Sequence, residues 1–417
     1  MWHKTSDRVD ADVQGIALWP LLEKVAVEAG WHIYVEPDTD RKVSTKFKNL
    51  SSNEALKMLL GELNFALQPQ TNGSTRLYVF RTKLENATRQ VQTKLPRHVA
   101  NELIVHLKPG TNIDALAKLL GAKVTGRIDS IGLYRLQFPD AATTDTALGE
   151  LKNNSDVVAV DFNNYFDPPP VAQAMNAAPL GPVNLQLTPS TDTSKVVVGL
   201  VDTTVQPLGD LEKFISKRVS VADGTPAGSD LLHGTGMAET ILRAIAGVNQ
   251  NSSVQIIAAD VYGSGESTTT WNVALGFQAV INNGATVINM SLGGAGESSM
   301  LNGLIQQAIA AGIPVYAAAG NEPVTTPTYP AAYPGVLAVT SVQNGQLAPY
   351  ANYGSFVDMA LPGSSVVYLG NQAYMMQGTS VSTAYATGVA AGNKATSGAT
   401  WPQVTTAMEK KFPVPAK

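Results

Sequence analysis

The sequence predicts an α/β chain in which a doubly wound, mostly parallel sheet follows two small α+β domains, the second in ferredoxin-like order. Three observations carry this. The run Val196-Val197-Val198-Gly199-Leu200-Val201 is apolar almost throughout, as suits a strand covered on both faces. Residues 102–162 read as β-α-β-β-α-β. Composition also changes along the chain: residues 1–95 hold 24 charged side chains, whereas the longer stretch 170–417 holds only 22. A length of 417 residues fits two or three domains at roughly 150 residues each.

In the first part, residues 1–95, Leu18, Leu22, Val25 and Ala29 recur at helical spacing before Gly30, and Trp31–Val35 follows as a strand. Ser51 and Glu54 have capping-box spacing, with Leu56, Leu59, Leu60 and Leu63 at i, i+3, i+4 and i+7 behind them. Lys42–Lys48 and Arg76–Phe80 complete the strand pattern. This module resembles the short N-terminal domain of secretins and TonB-dependent signalling receptors. That resemblance implies docking to another envelope component through residues 1–95.

The second module, residues 96–166, has strands over Glu102–Leu107, Lys123–Ile128, Leu133–Phe138 and Val157–Phe162, with helices over Ile113–Leu120 and Thr144–Asn153. With its turn Lys108-Pro109-Gly110, its Gly121-Ala122-Lys123-Val124 and its closing Asp156-Val157-Val158-Ala159-Val160, it resembles a subtilisin propeptide. A linker over 167–189 carries prolines at 168, 169, 170, 179, 182 and 189, which favours extended, poorly paired backbone. The fourth part is 190–417.

The bulk numbers narrow the chemistry. A formal net charge of −4 supplies no field for a phosphate backbone, so nucleic acid is excluded as a partner. With no cysteine, disulfides, thiolate catalysis and cysteine-ligated metals are excluded, and reactivity falls to oxygen and nitrogen groups. No stretch approaches the ~18 uninterrupted apolar residues of a membrane span, and the first 15 residues do not form a signal-peptide core.

Asp202 ends the apolar strand run, where α/β sheets place ligands. Asp202-Thr203-Thr204 lacks the glycine and the second carboxylate an aspartic protease would need. His233, in His233-Gly234-Thr235-Gly236-Met237-Ala238, heads a helix through Ile241, Ile245 and Val248, and it is the one imidazole after the linker. A lone His without clustered carboxylates lacks metal-ligand spacing. Ser380 follows Gln377-Gly378-Thr379 and precedes Val381-Ser382-Thr383-Ala384 and a small-residue helix over Tyr385–Gly392, which permits close backbone approach at a tight turn.

In that order and with those flanks, Asp202, His233 and Ser380 resemble the triad of the subtilisin family of serine proteases, over residues 190–395. Asn289-Met290-Ser291-Leu292-Gly293-Gly294 resembles its substrate-pairing strand, and Ala317-Ala318-Ala319-Gly320-Asn321-Glu322 its oxyanion segment. The resemblance implies that Ser380 attacks, His233 shuttles the proton, Asp202 orients the imidazole and Asn321 binds the oxyanion. It implies that Ser291, Leu292, Gly293 and Gly294 pair with an extended polypeptide substrate, and that Ala317, Ala318, Ala319 and Gly320 line the pocket before the cut. Thr328 stands where the family often has Gly, which would shorten that pocket, and Gly263–Thr270, with Glu266, resembles the opposite edge.

Four positions depart from the family pattern: Thr204, Gly236, Ala384 and Tyr385. None removes a triad atom. Gly247–Ser253 lacks the insertion that forms the tight calcium site of many subtilisins, so no cofactor is expected and calcium is unsupported. A sedolisin-like acid peptidase shares Gly-Thr-Ser but uses Glu where this chain has His233. The expected molecule is a secreted or periplasmic endopeptidase zymogen, inhibited by its own propeptide and cut between Phe166 and Pro189. The alternative is a catalytically silent envelope docking protein.

Overall fold

Leu18, Leu22 and Val25 line the buried face of helix Leu18–Ala29, which packs beside strand Trp31–Val35. Helix Ser52–Leu60 starts at a complete capping box between Ser51 and Glu54 and buries Leu56, Leu59 and Leu60. Leu63 was expected on the same helix but lies beyond it, because Gly61 (φ +57°) closes the last turn. The computed structural model describes residues 2–3, 7–29, 31–37, 39, 41–69, 75–91, 98–166, 172–175, 187–189, 196–222, 224, 233–250, 253–265, 267–369 and 372–415. Gly30, Glu266 and most of the linker 167–189 lie outside them.

The chain divides into two compact units, Met1–Leu95 with Pro323–Thr326, and Pro96–Glu322 with Pro327–Lys417. In the first, Arg8–Ala17 pairs antiparallel with Lys42–Leu50, and Trp31–Val35 sits between Thr75–Phe80 and Arg89–Val91. Strand Arg8–Ala17 went unread because Arg8, Asp10, Asp12 and Gln14 interrupt its apolar residues and leave no apolar run to mark it.

In the second unit, His98–Leu107 lies between Leu133–Gln137 and Val157–Phe166, and Lys123–Ile128 pairs with the outer edge of Leu133–Gln137, all antiparallel. The helix expected over Thr144–Asn153 begins earlier, at Ala141, because Asp140 accepts a 2.7 Å hydrogen bond from Thr143 N–H. The closing strand runs on to Phe166 because it leaves its own sheet and pairs with Thr268–Thr269.

The large sheet is parallel through Ser253–Asp260, Val196–Asp202, Val287–Met290, Val315–Ala318 and Leu337–Gln343. Val196, Val198 and Leu200 face one core with helices His233–Val248, Thr379–Ser397 and Trp401–Lys411. Val197 and Val201 face the other, with helices Thr270–Asn282 and Ser299–Ala310. This alternation explains why the strands read as continuous apolar runs.

Candidate active site

Asp202 is the last residue of its strand and His233 the first of its helix. Their side chains meet at 2.7 Å, from His233 Nδ1 to Asp202 Oδ1. Asp202 is 1% and His233 4% exposed, so the contact is shielded from water. Thr203 N–H donates to the same Oδ1 at 2.7 Å, and Thr203 Oγ1 accepts from Gly234 N–H at 2.8 Å, tying the strand end to the helix start. A Cβ on residue 234 would lie 2.2 Å from Thr203 O, so glycine is required for this approach.

Ser380 lies in the first turn of Thr379–Ser397, a helix longer at both ends than the Tyr385–Gly392 stretch suggested. Its hydroxyl donates to Ser291 O at 2.9 Å, while Ser291 Oγ donates to Ser380 O at 3.0 Å. His233 Nε2 has no hydrogen-bond partner. The Ser380 hydroxyl is thus bonded to a main-chain carbonyl and not to the imidazole.

Asn321 Oδ1 accepts from Thr379 N–H at 2.8 Å and from Thr379 Oγ1 at 3.1 Å. With the oxygen committed to donors, the amide nitrogen is the free end of the side chain. Gly320 takes φ +110° and donates its N–H to Thr379 Oγ1 at 3.1 Å. Asn352, which sequence reading missed, braces this corner: its Oδ1 accepts from Glu322 N–H at 2.8 Å and its Nδ2 donates to Thr328 Oγ1 at 3.1 Å.

Ser291–Gly293 belong to no strand, whereas Gly294 bridges Tyr329. A Cβ on Gly293 would lie 2.8 Å from Thr328 Cγ2, and one on Gly320 would lie 3.1 Å from Thr328 Oγ1. Thr328 therefore stands between the pairing segment and the Ala317–Gly320 segment. Ala317, Ala318 and Ala319 are buried, and Leu292 packs in the core with Trp271 and Tyr262.

The helix of His233 is docked along the hairpin Ser364–Leu369/Gln372–Gln377, which leads directly into Ser380. A Cβ at Gly236 would lie 2.1 Å from Met376 Sδ, so the missing side chain at 236 makes room for the methionine. Thr240 Oγ1 donates to Ser365 Oγ at 3.1 Å. Glu239 accepts from Tyr368 N–H at 3.1 Å and pairs with Arg243, which also donates to Val366 O. Burial pushes the Glu239 carboxyl above its ordinary range, and Arg243 opposes that shift.

The closing strand of the second module grips the large domain at two helix starts. Asp161 accepts from Ser298 Oγ (2.9 Å), Ser299 Oγ (2.9 Å) and Met300 N–H (2.8 Å). Asn163 Oδ1 accepts from Trp271 N–H at 3.0 Å, and Thr270 Oγ1 donates to Asn164 O at 3.3 Å. Phe166 is 2% exposed, packed into the core that holds Leu292, Trp271 and Tyr262.

A model of the subtilase family matches residues 193–412, just over half the chain. The chain belongs to the subtilase family. A fervidolysin N-terminal prodomain model matches residues 85–163. A thermostable alkaline protease of Halalkalibacterium halodurans is 35% identical over 202 residues, covering 46% of this chain and 55% of that protein. Subtilisin Savinase of Lederbergia lenta is 33% identical, covering 48% and 76%. The chain spans about half the length of the first curated relatives it matches. Fervidolysin of Fervidobacterium pennivorans, a keratinolytic enzyme related to subtilisin, superposes at TM-score 0.57 and 18% identity, covering 75% of this chain and 57% of that one. The epidermin leader peptide processing serine protease of Staphylococcus aureus does so at 0.55 and 16%, covering 75% and 92%. Both likenesses concern the fold. Residues 85–163 of this subtilase thus match a prodomain, and 193–412 the family's catalytic domain.

Among the described residues no group of three or more His, Asp or Glu side chains is placed to hold a metal ion. No described helix is long and apolar enough to cross a membrane.

Proposed function

We propose that this subtilase is a serine endopeptidase zymogen with Ser380 as nucleophile, His233 as proton shuttle, Asp202 as its orienting carboxylate and Asn321 as oxyanion donor. The buried 2.7 Å contact between His233 and Asp202 carries the reading, since it fixes Nδ1 as the protonated nitrogen and leaves Nε2 free to act as base. Ser380 Oγ bonds to the scissile carbonyl carbon as its proton moves to His233 Nε2. The oxyanion is met by Asn321 Nδ2 and the Ser380 N–H. Collapse breaks the C–N bond, and the proton on Nε2 leaves with the amine. Water then attacks the ester, gives a proton to His233 and releases the acid, and the proton returns to Ser380.

The substrate is an extended polypeptide pairing with Ser291–Gly294, with Ala317–Gly320 and Thr328 forming a shortened pocket for a small or medium residue. The prodomain inhibits from within the chain, and residues 1–95 dock an envelope component after export to the periplasm or beyond. No cofactor is required, and the sequence gives no support to a calcium site.

A fluorophosphonate probe and a pH–rate profile on an unfolded protein substrate test the reading. Labelling of wild type but not Ser380→Ala, with activity greatest near neutral pH, is expected. Absence of labelling in both would make the chain a silent docking protein, and an acid optimum would favour a sedolisin-like mechanism.

A further inference from the structure

Three parallel strands of the large sheet end side by side, and their last residues form one row. Asp202 lies opposite Asp260, and Asp260 opposite Ser220 of strand Ile215–Ser220. Side chains along a strand alternate between its two faces. Val196, Val198 and Leu200 share a core with Val254, Ile256 and Ala258, while Val197 and Val201 share the other with Ile257 and Ala259. Asp202 and Asp260 continue the even-numbered set, on the face covered by the helix that starts at His233. The mechanism above uses one of these two carboxyls and leaves the other without a task.

Asp260 is 5% exposed. Its Oδ1 accepts from Tyr262 N–H and Gly263 N–H, both at 3.0 Å, and its Oδ2 has no hydrogen-bond partner. Asp202 is built alike, with Oδ1 on His233 and Thr203 and Oδ2 without a partner. The cations on the surrounding elements are engaged elsewhere. On the strand of Ser220, Arg218 donates Nε to Val205 O at 2.9 Å and pairs with Glu212, while Lys217, on the opposite face, donates to Asn283 Oδ1 at 2.7 Å. In the short helix Gly209–Phe214, Lys213 pairs with Asp210, and in helix His233–Val248, Arg243 pairs with Glu239. Helix Thr270–Asn282 carries no charged residue, and Lys394 of Thr379–Ser397 donates to Ala399 O at 2.7 Å. Among the described residues of these elements, the titratable groups left to answer the charge of Asp260 are Asp202 and His233. Burial pushes the Asp260 carboxyl above its ordinary range, the Gly263 and Tyr262 N–H groups hold it back, and the charge of Asp202 adds to the rise.

We propose that Asp260 is a positioning residue of the triad, acting on His233 alongside Asp202: ionised, it adds a second buried negative charge that favours the imidazolium formed when Ser380 gives up its proton. The proposal rests on the protease reading above and deepens it at one residue. A negative charge close to a base favours the protonated form, and burial keeps water from screening it. Asp202 bonds the ring and fixes which nitrogen holds the hydrogen. Asp260 has no hydrogen bond to the ring, so its effect reaches the imidazole as field alone. The two N–H bonds to Oδ1 keep its carboxyl on the row. Because the acids and the imidazole interact, they titrate as one coupled set. The acid limb of the pH–rate profile then reports Asp260 as well as His233.

Steady-state hydrolysis of a peptide and the rate of fluorophosphonate labelling, each followed for the full chain from about pH 5 to 9, test this. Asp260→Asn keeps the size of the side chain and an oxygen for the Tyr262 and Gly263 N–H groups, so a merely structural role leaves both profiles in place. The expected result is an acid limb moved to lower pH by roughly 0.5–1 unit, with kcat at neutral pH down roughly three- to tenfold and KM nearly unchanged. Asp260→Ala, which also lacks the charge, moves the limb the same way and covers the case of an amide variant that does not fold. A limb unmoved in every folded variant overturns the proposal, and a change confined to KM or to the urea midpoint does so too. Wild type that is neither labelled nor active at any pH refutes the protease reading itself, and this proposal with it.

Discussion

Gly236 occupies a position where the family motif often carries a second histidine, and the structure explains how this chain tolerates the loss. A Cβ there would stand 2.1 Å from Met376 Sδ and 3.0 Å from its Cε, whereas unstrained heavy-atom contacts lie near ~3.5–4.0 Å. Met376 is 3% exposed, so it has no open space to swing into. Gly236→Ala therefore carries an overpacking cost of ~1–3 kcal/mol, offset by ~1 kcal/mol of helix propensity. The net is a loss of about 0–2 kcal/mol. Met376→Ala alone costs ~2–5 kcal/mol as a cavity. In that background the added methyl meets empty space, the overpacking cost vanishes and Gly236→Ala stabilises by ~1 kcal/mol. The pair is thus coupled by ~1–3 kcal/mol. Urea unfolding followed by tryptophan fluorescence measures the cycle, with Ser380→Ala in every chain to prevent self-digestion. Effects that add within ~0.5 kcal/mol would refute the reasoning.

Three further outcomes are expected. Asn321→Ala lowers kcat by ~100- to 1000-fold with KM nearly unchanged, read by steady-state hydrolysis of a peptide substrate; a change confined to KM would count against the oxyanion role. Asp161→Ala strips the acceptor from three donors, a loss of ~1.5–3 kcal/mol for bonds to a charged group, so prodomain grip weakens by about ten- to a hundredfold and labelling of Ser380 in the uncut chain speeds up accordingly. His106 is held below the ordinary histidine range by burial, against a hydrogen bond to Ile131 O. Below pH ~6.5 the unfolded chain takes the proton more readily than the folded one, so this contribution to stability is present at neutral pH and is lost as pH falls through that window. The urea midpoint should drop between pH 7.5 and 5.5, and His106→Phe should flatten the drop.

Elements that carry their own chemical marker were legible in the sequence. The Ser51/Glu54 box placed a helix start, and the apolar run before Asp202 placed a buried strand, because a cap and a core strand are local facts. Gly293, Gly320 and Thr328 were drawn together only by family likeness, since residues far apart in sequence leave no local trace of their contact. Asn352 and the Glu239–Arg243 pair went unnoticed for the same reason: nothing around an isolated Asn or an i, i+4 pair says that it braces a corner or a hairpin. The closing strand was cut short at Phe162 because Asn163 and Asn164 look like a turn. Their amides instead serve a neighbouring domain, with Asn163 accepting from Trp271 N–H.

That last arrangement bears on how long the enzyme survives. Trp271 and Met300 sit in the opening turns of two helices, and their N–H groups find acceptors on the prodomain. While the prodomain is present it completes the ends of helices that the large sheet must gather from distant parts of the chain. On the zymogen reading proposed above, processing would hand those donors to water, and the survival of the cut chain would then be judged by how seldom it opens, a rate, and not by an equilibrium stability.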